Sequence, residues 1–204
     1  LFVSSLWLTG ALAAKYALLG GFVLALSLWF VAHRGSRLKN GIGWLLLGTL
    51  IVAFIFGSFQ LADKDSLLRQ KFIDLSSGSR FAVWSIAWDA FQDRPWFGWG
   101  LENFQTAFLA HYNPCLGSSA CGGEALWFDR AHNKVLDTLV EAGAVGLMAY
   151  VALLGVTVSC SWLAHRRSAV PLFVPILITS FIASYFVQNL AEFVYLLHSV
   201  CIFI

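Results

Sequence analysis

Polar and apolar residues are segregated along this chain in long blocks. Apolar stretches run at about 16–32, 42–60, 143–164 and 169–188, with partial ones at about 1–14 and 193–204. Each full stretch is close to the roughly 20 residues that an α-helix needs to cross a bilayer. Between the second and third the pattern changes. From Arg80, apolar side chains fall at Phe81, Trp84, Trp88 and Phe91, with Asp89 and Asp93 on the other side, which predicts an amphipathic helix. Ser76-Ser77-Gly78-Ser79 precedes it as a turn that offers an N-cap, and Pro95 stops it before the glycine-articulated turn Phe97-Gly98-Trp99-Gly100. An aromatic-faced helix of this kind is expected to lie on the membrane surface or on the tops of the spans. Residues 101–127 have the least pattern and read as a long ordered loop able to cover a site. A further apolar-periodic run starts near His132 and leads into the third long stretch, with Leu136, Leu139 and Val140 recurring with His132 at helical spacing.

Composition turns the pattern into a class. The 204 residues are 59% hydrophobic and only 12% charged, whereas a soluble domain carries about 25% charged residues. The expected fold is all-α, a polytopic transmembrane helix bundle with a helical external segment between two spans. Because the chain opens and closes inside apolar runs, it reads as a fragment cut at both ends, and the span count as a lower bound.

Charge sets the expected orientation. Arg34, Arg37 and Lys39 fill one short gap, and Arg166 and Arg167 another. By the positive-inside rule both gaps are cytoplasmic, and two spans separate them, so the parity agrees. The division that follows is residues 1–60 as transmembrane helices with a cytoplasmic basic loop at 33–40, residues 61–131 as an external or periplasmic segment, and residues 132–204 as a His-bearing short helix and further spans. Cys115 and Cys121 fall in the external segment, where a disulfide can persist. A staple between them and free thiols both remain open, whereas Cys160 and Cys201 read as packing residues in spans.

Candidate chemistry gathers in the external segment and just after it. His132 is the one histidine of five bracketed by further polar chemistry, with Asp129 and Arg130 before it and Asn133, Lys134, Asp137 and Glu141 after. A histidine can move protons near neutral pH; an isolated one on an apolar face is more often a packing residue, and the polar neighbours of His132 bring the two readings level. Glu141 reads either as a partner that tunes it or as a polar residue at the interface. Arg80 opens its helix, where a basic side chain opposes the macrodipole. This hints at a bound anion, and a guanidinium suits phosphate oxygens. Pairing with a nearby carboxylate is the plainer reading. Arg69 lies on a short amphipathic stretch, and Lys15 and Glu192 lie near span ends, where snorkelling accounts for them. The chain has no glycine-rich nucleotide loop, carboxylate cluster or cysteine pattern for a metal, so no cofactor and no metal are expected, and nothing suggests nucleic acid.

Taken together, Ser77-Gly78-Ser79-Arg80, Trp84, Pro95-Trp96-Phe97-Gly98-Trp99-Gly100-Leu101-Glu102-Asn103-Phe104, Ala131-His132-Asn133, Leu136, Leu139, Glu141, Gly143 and Gly146-Leu147 resemble the O-antigen ligase and polymerase superfamily over about 76–155. Gln188-Asn189-Leu190 also resembles a recurrent feature of it. The resemblance implies an inverting, metal-independent glycosyltransferase of the bacterial inner membrane that works on the external face. Its donor would be a glycan on undecaprenyl diphosphate. Its acceptor would be the hydroxyl or amide of another glycan, a lipid A core or a protein. It also implies that His132 acts at the acceptor and that Arg80 binds the diphosphate, with Asn133 orienting the histidine. The family usually carries a second arginine after a Thr-Gly pair. Here Leu12 stands near that place, so Lys15, Arg69 or Arg130 would complete the cationic clamp. A transporter or channel component is the rival, kept open by Pro171 and Pro175 interrupting one span. An inactive scaffold in an envelope complex is the third reading.

Overall fold

The computed structural model describes residues 12–33, 36–63, 65–67, 70–71, 79–117 and 127–190. The protein is all-helical. Its elements are α1 (Leu12–Ala32), α2 (Arg37–Ala62), α3 (Arg80–Asp93), α4 (Phe104–Ala110), a 3₁₀ turn (Pro114–Gly117), α5 (Lys134–Arg166) and α6 (Phe173–Asn189), with no strand among the described residues. Three helices, Ala14–Ala32, Arg37–Ala62 and Lys134–Arg166, are long and apolar enough to cross a membrane. The expected spans at 16–32 and 42–60 fall inside α1 and α2, and the one at 143–164 is the later part of α5. The fourth is shorter than expected, because α6 has 17 residues and starts only after Pro171. Pro175 then sits in the first turn of α6, where the missing N–H is one that no helical carbonyl would accept. The two prolines therefore delimit α6 instead of interrupting it.

The chain divides into two compact units, Leu1–Ile55 with Leu153–Ile204 and Phe56–Ala152. In the first unit small residues bring helices close. A Cβ built on Gly21 of α1 would run into the Ser184 hydroxyl of α6, the kind of small-residue contact that apolar helices use to pack without a hydrophobic driving force. Ser27, buried in α1, donates to the Gly43 carbonyl of α2 at 2.7 Å. On the other side, the Trp162 indole N–H of α5 donates to Thr179 Oγ1 of α6 at 3.0 Å.

The second unit has its own core, in which Val83, Ile86, Ala87 and Ala90 of α3 pack with Phe104, Ala107 and Phe108 of α4 and with Leu116, Ala131 and Val140. The aromatic stripe is not the buried one: Trp88 is 49% exposed, and Phe81, Trp84 and Phe91 are only half-buried. The face beside it, with small and β-branched residues, lets α4 approach closely. The expected loop at 101–127 also contains structure. Phe104, Ala107 and Phe108 recur at three and four, which makes α4 amphipathic.

Candidate functional site

The site is built where α3, the turn after it and the start of α5 meet inside the second unit. Pro95 ends α3, and the chain turns through Gly98 and Gly100, both at positive φ (68° and 102°). The expected continuous passage from the His-bearing helix into the membrane span is corrected here. α5 is broken at Gly143, whose φ and ψ are 67° and −167°. The break is filled by the turn. The N–H groups of Trp99 and Gly100 donate to the carbonyls of Val140 and Glu141, at 2.7 and 2.9 Å, and those of Ala144 and Val145 donate to the carbonyls of Pro95 and Trp96, at 2.8 and 3.2 Å. The backbone groups that a broken helix would orphan are thus paired. Contact is so close that a Cβ on Gly98 would strike the Val140 carbonyl, and one on Gly143 would strike that of Trp96. Two glycines 45 positions apart in sequence are therefore required by one backbone crossing.

Just upstream of α5, Ala131 is buried and both of its backbone groups are taken. Its N–H donates to Asp137 Oδ1 at 2.7 Å, and its carbonyl accepts the indole N–H of Trp84 at 2.9 Å. Asn133 caps α5: its Oδ1 accepts the N–H groups of Val135 and Leu136 at 3.0 and 3.3 Å, as N-cap asparagines do. His132 lies between these anchors with φ 54°. For a residue with a side chain this left-handed conformation costs on the order of 1–3 kcal/mol and persists only where its surroundings enforce it. The histidine is thus half-buried and sits before the helix. This corrects the expectation that it shares a helical face with Leu136, Leu139 and Val140.

Arg80 is the first residue of α3 and is only 9% exposed. Trp84, one turn further on the same side, makes the bond to Ala131, so α3 links Arg80 to the residue preceding His132. Arg130 is turned to acids. Its Nη2 lies 3.2 Å from both carboxylate oxygens of Glu102, and this carboxylate, followed by Glu141, Asp137 and Asp129, raises its already high pKa. Glu102 itself stands at φ 60°. Burial raises the Glu141 pKa above the usual carboxylate range, and Glu141 joins the turn through its carbonyl. Lys15 is half-buried on α1, in the first unit. Arg69, the side chain of Cys115 and Cys121 lie outside the described residues.

Three participants, Trp84, Asp137 and Glu102, are named in the sequence pattern but given no role there. Asp137 carried a signal, since an acid one turn inside a helix that is about to become apolar needs a backbone partner. The Arg130–Glu102 pair joins residues 28 apart and carried none.

Fold and site together define an all-helical membrane protein in which a packed helical unit presents a histidine on an enforced backbone. The family model of O-antigen ligase matches residues 1–151. That is most of the chain, and the protein belongs to the O-antigen ligase family, a family of membrane enzymes. No curated protein matches the chain.

Proposed function

We propose that this protein is a membrane glycosyltransferase that moves a glycan from undecaprenyl diphosphate to an acceptor hydroxyl or amide on the external face of the bacterial inner membrane. The acceptor is another glycan, a lipid A core or a protein. The single observation that carries the reading is the left-handed backbone of His132, held by the buried Ala131 before it and the Asn133 cap after it. Strain of this sort collects where a side chain must be aimed.

In this mechanism His132 takes the proton of the acceptor as its oxygen or nitrogen attacks the anomeric carbon. The carbon–oxygen bond to the diphosphate breaks, undecaprenyl diphosphate leaves with the electron pair, and the configuration inverts. Arg80 holds the diphosphate, with the N-terminal dipole of α3 adding positive potential at the same place. Asn133 fixes where α5 begins, one residue after the base. Arg130, paired with Glu102, adds charge beside the histidine, and Arg69 is a further candidate for the cationic clamp. The prolines that favoured a transporter do not interrupt a span, since Pro171 precedes α6 and Pro175 lies in its first turn.

The test is transfer of a lipid-diphosphate-linked glycan by the full-length protein in liposomes, with EDTA present and His132→Ala in parallel. Transfer that survives the chelator and disappears in the variant is expected. Transfer retained by His132→Ala sinks the role of the base, and none from the wild type across several acceptors sinks the enzyme.

A further inference from the structure

We infer that Asp137 and Trp84 are positioning residues that aim His132 by gripping the two peptide planes ahead of it. The inference rests on His132 being the base proposed above. The two bonds act on different planes. The Asp137 carboxylate, buried to 5% exposure, accepts the Ala131 N–H and so fixes the plane between residues 130 and 131. The Trp84 indole donates to the Ala131 carbonyl and fixes the plane between residues 131 and 132. The second plane carries the His132 nitrogen, and the φ of His132 is the rotation about the N–Cα bond that leaves it. On the far side the Asn133 cap and the bond from the Asp137 N–H to the Asn133 carbonyl, at 2.8 Å, lock the chain into α5. Asp137 thus holds the backbone on both sides of the histidine, through its carboxylate ahead and its N–H behind.

Neither group is explained by packing alone. A buried carboxylate is costly unless a good donor satisfies it, and an apolar residue would fill the same place on α5. A phenylalanine would fill much of the place of Trp84 without the N–H. What the two polar groups add is orientation: misplacing a reacting group by an ångström costs about 100-fold in rate. Their effect should therefore appear in kcat, leaving donor binding unchanged.

The experiment uses the full-length protein in liposomes with Asp137→Ala, Asp137→Asn and Trp84→Phe, reading kcat and the KM for the lipid-linked donor. In parallel, carbethoxylation of His132 by diethyl pyrocarbonate is followed by peptide mass spectrometry, a readout that needs no transfer. Asp137→Ala is expected to lower kcat about 100-fold at unchanged KM and to change the modification rate of His132. Asp137→Asn keeps an oxygen that accepts the Ala131 N–H, and restores both. Trp84→Phe keeps the ring and loses the donor, so it lowers kcat even if Asp137→Ala fails to fold. Wild-type kcat in both Asp137→Ala and Trp84→Phe overturns the inference. Equal impairment of Asp137→Ala and Asp137→Asn, or a loss confined to KM, overturns it too. If His132→Ala retains transfer, the role of the base falls while the modification arm still decides: a changed rate at His132 in the variants supports the grip, and an unchanged rate refutes it.

Discussion

Arg80 and His132 draw their meaning from opposite environments. Arg80 is almost fully buried, and in the proposed reaction its guanidinium, which suits phosphate oxygens, binds the donor diphosphate. Arg80→Lys keeps the charge and loses the fork. Giving up one charge-assisted hydrogen bond costs about 1.5–3 kcal/mol, roughly 10–100-fold. Donor titration in the liposome assay should show a loss of this size. Activity equal to wild type would remove the bidentate contact. His132 is only half-buried, and its constraint lies in the backbone. Residue type and spacing single it out, but they do not reveal the constraint, because a φ of 54° is imposed by bonds from Trp84 and Asp137 at 47 and 6 positions from Ala131. Arg130 shows the converse. Its place beside the histidine is plain in the sequence, whereas its engagement with Glu102 appears only in the fold.

The interlock between the Pro95–Gly100 turn and the Gly143 break is the element on which the site stands. It fixes the start of the apolar part of α5 against α3, with the Glu141 carbonyl accepting the Gly100 N–H across it. Alanine at Gly98 or Gly143 must both adopt positive φ and push a methyl into a carbonyl of the opposing strand of backbone. Strain and overpacking together put the loss on the order of 3 kcal/mol for either substitution. Thermal unfolding in detergent should show it, and unfolding profiles like wild type would mean that the crossing yields. The existence of α3 and its stop at Pro95 follow from a 3.6-residue period and a proline, both local signals. Its buried face does not. The rings at Phe81, Trp84, Trp88 and Phe91 are the most hydrophobic choice, yet it is the aliphatic face of Val83, Ile86, Ala87 and Ala90 that packs against α4.

For the chain as a membrane protein, the reading above places the aromatic helix outside and the basic gap after α1 in the cytoplasm. A cysteine replacing Asp89, on a background without the native cysteines, should react with a membrane-impermeant maleimide in intact spheroplasts. One replacing Ser36 should react only after lysis. The reverse result would invert the topology and move the site away from any external acceptor. What the sequence determined unaided is the membrane class, the long apolar helices and α3 with their approximate limits, and the residue types on which a family resemblance rests. These depend on hydrophobicity, period and charge, which are properties of neighbouring residues. Tertiary structure alone decided which face of α3 is buried, that α5 is broken at Gly143 and mended by a turn 45 residues upstream, and how His132 is held. Each of these depends on a hydrogen bond or a close approach between distant parts of the chain, and no local pattern encodes the partner.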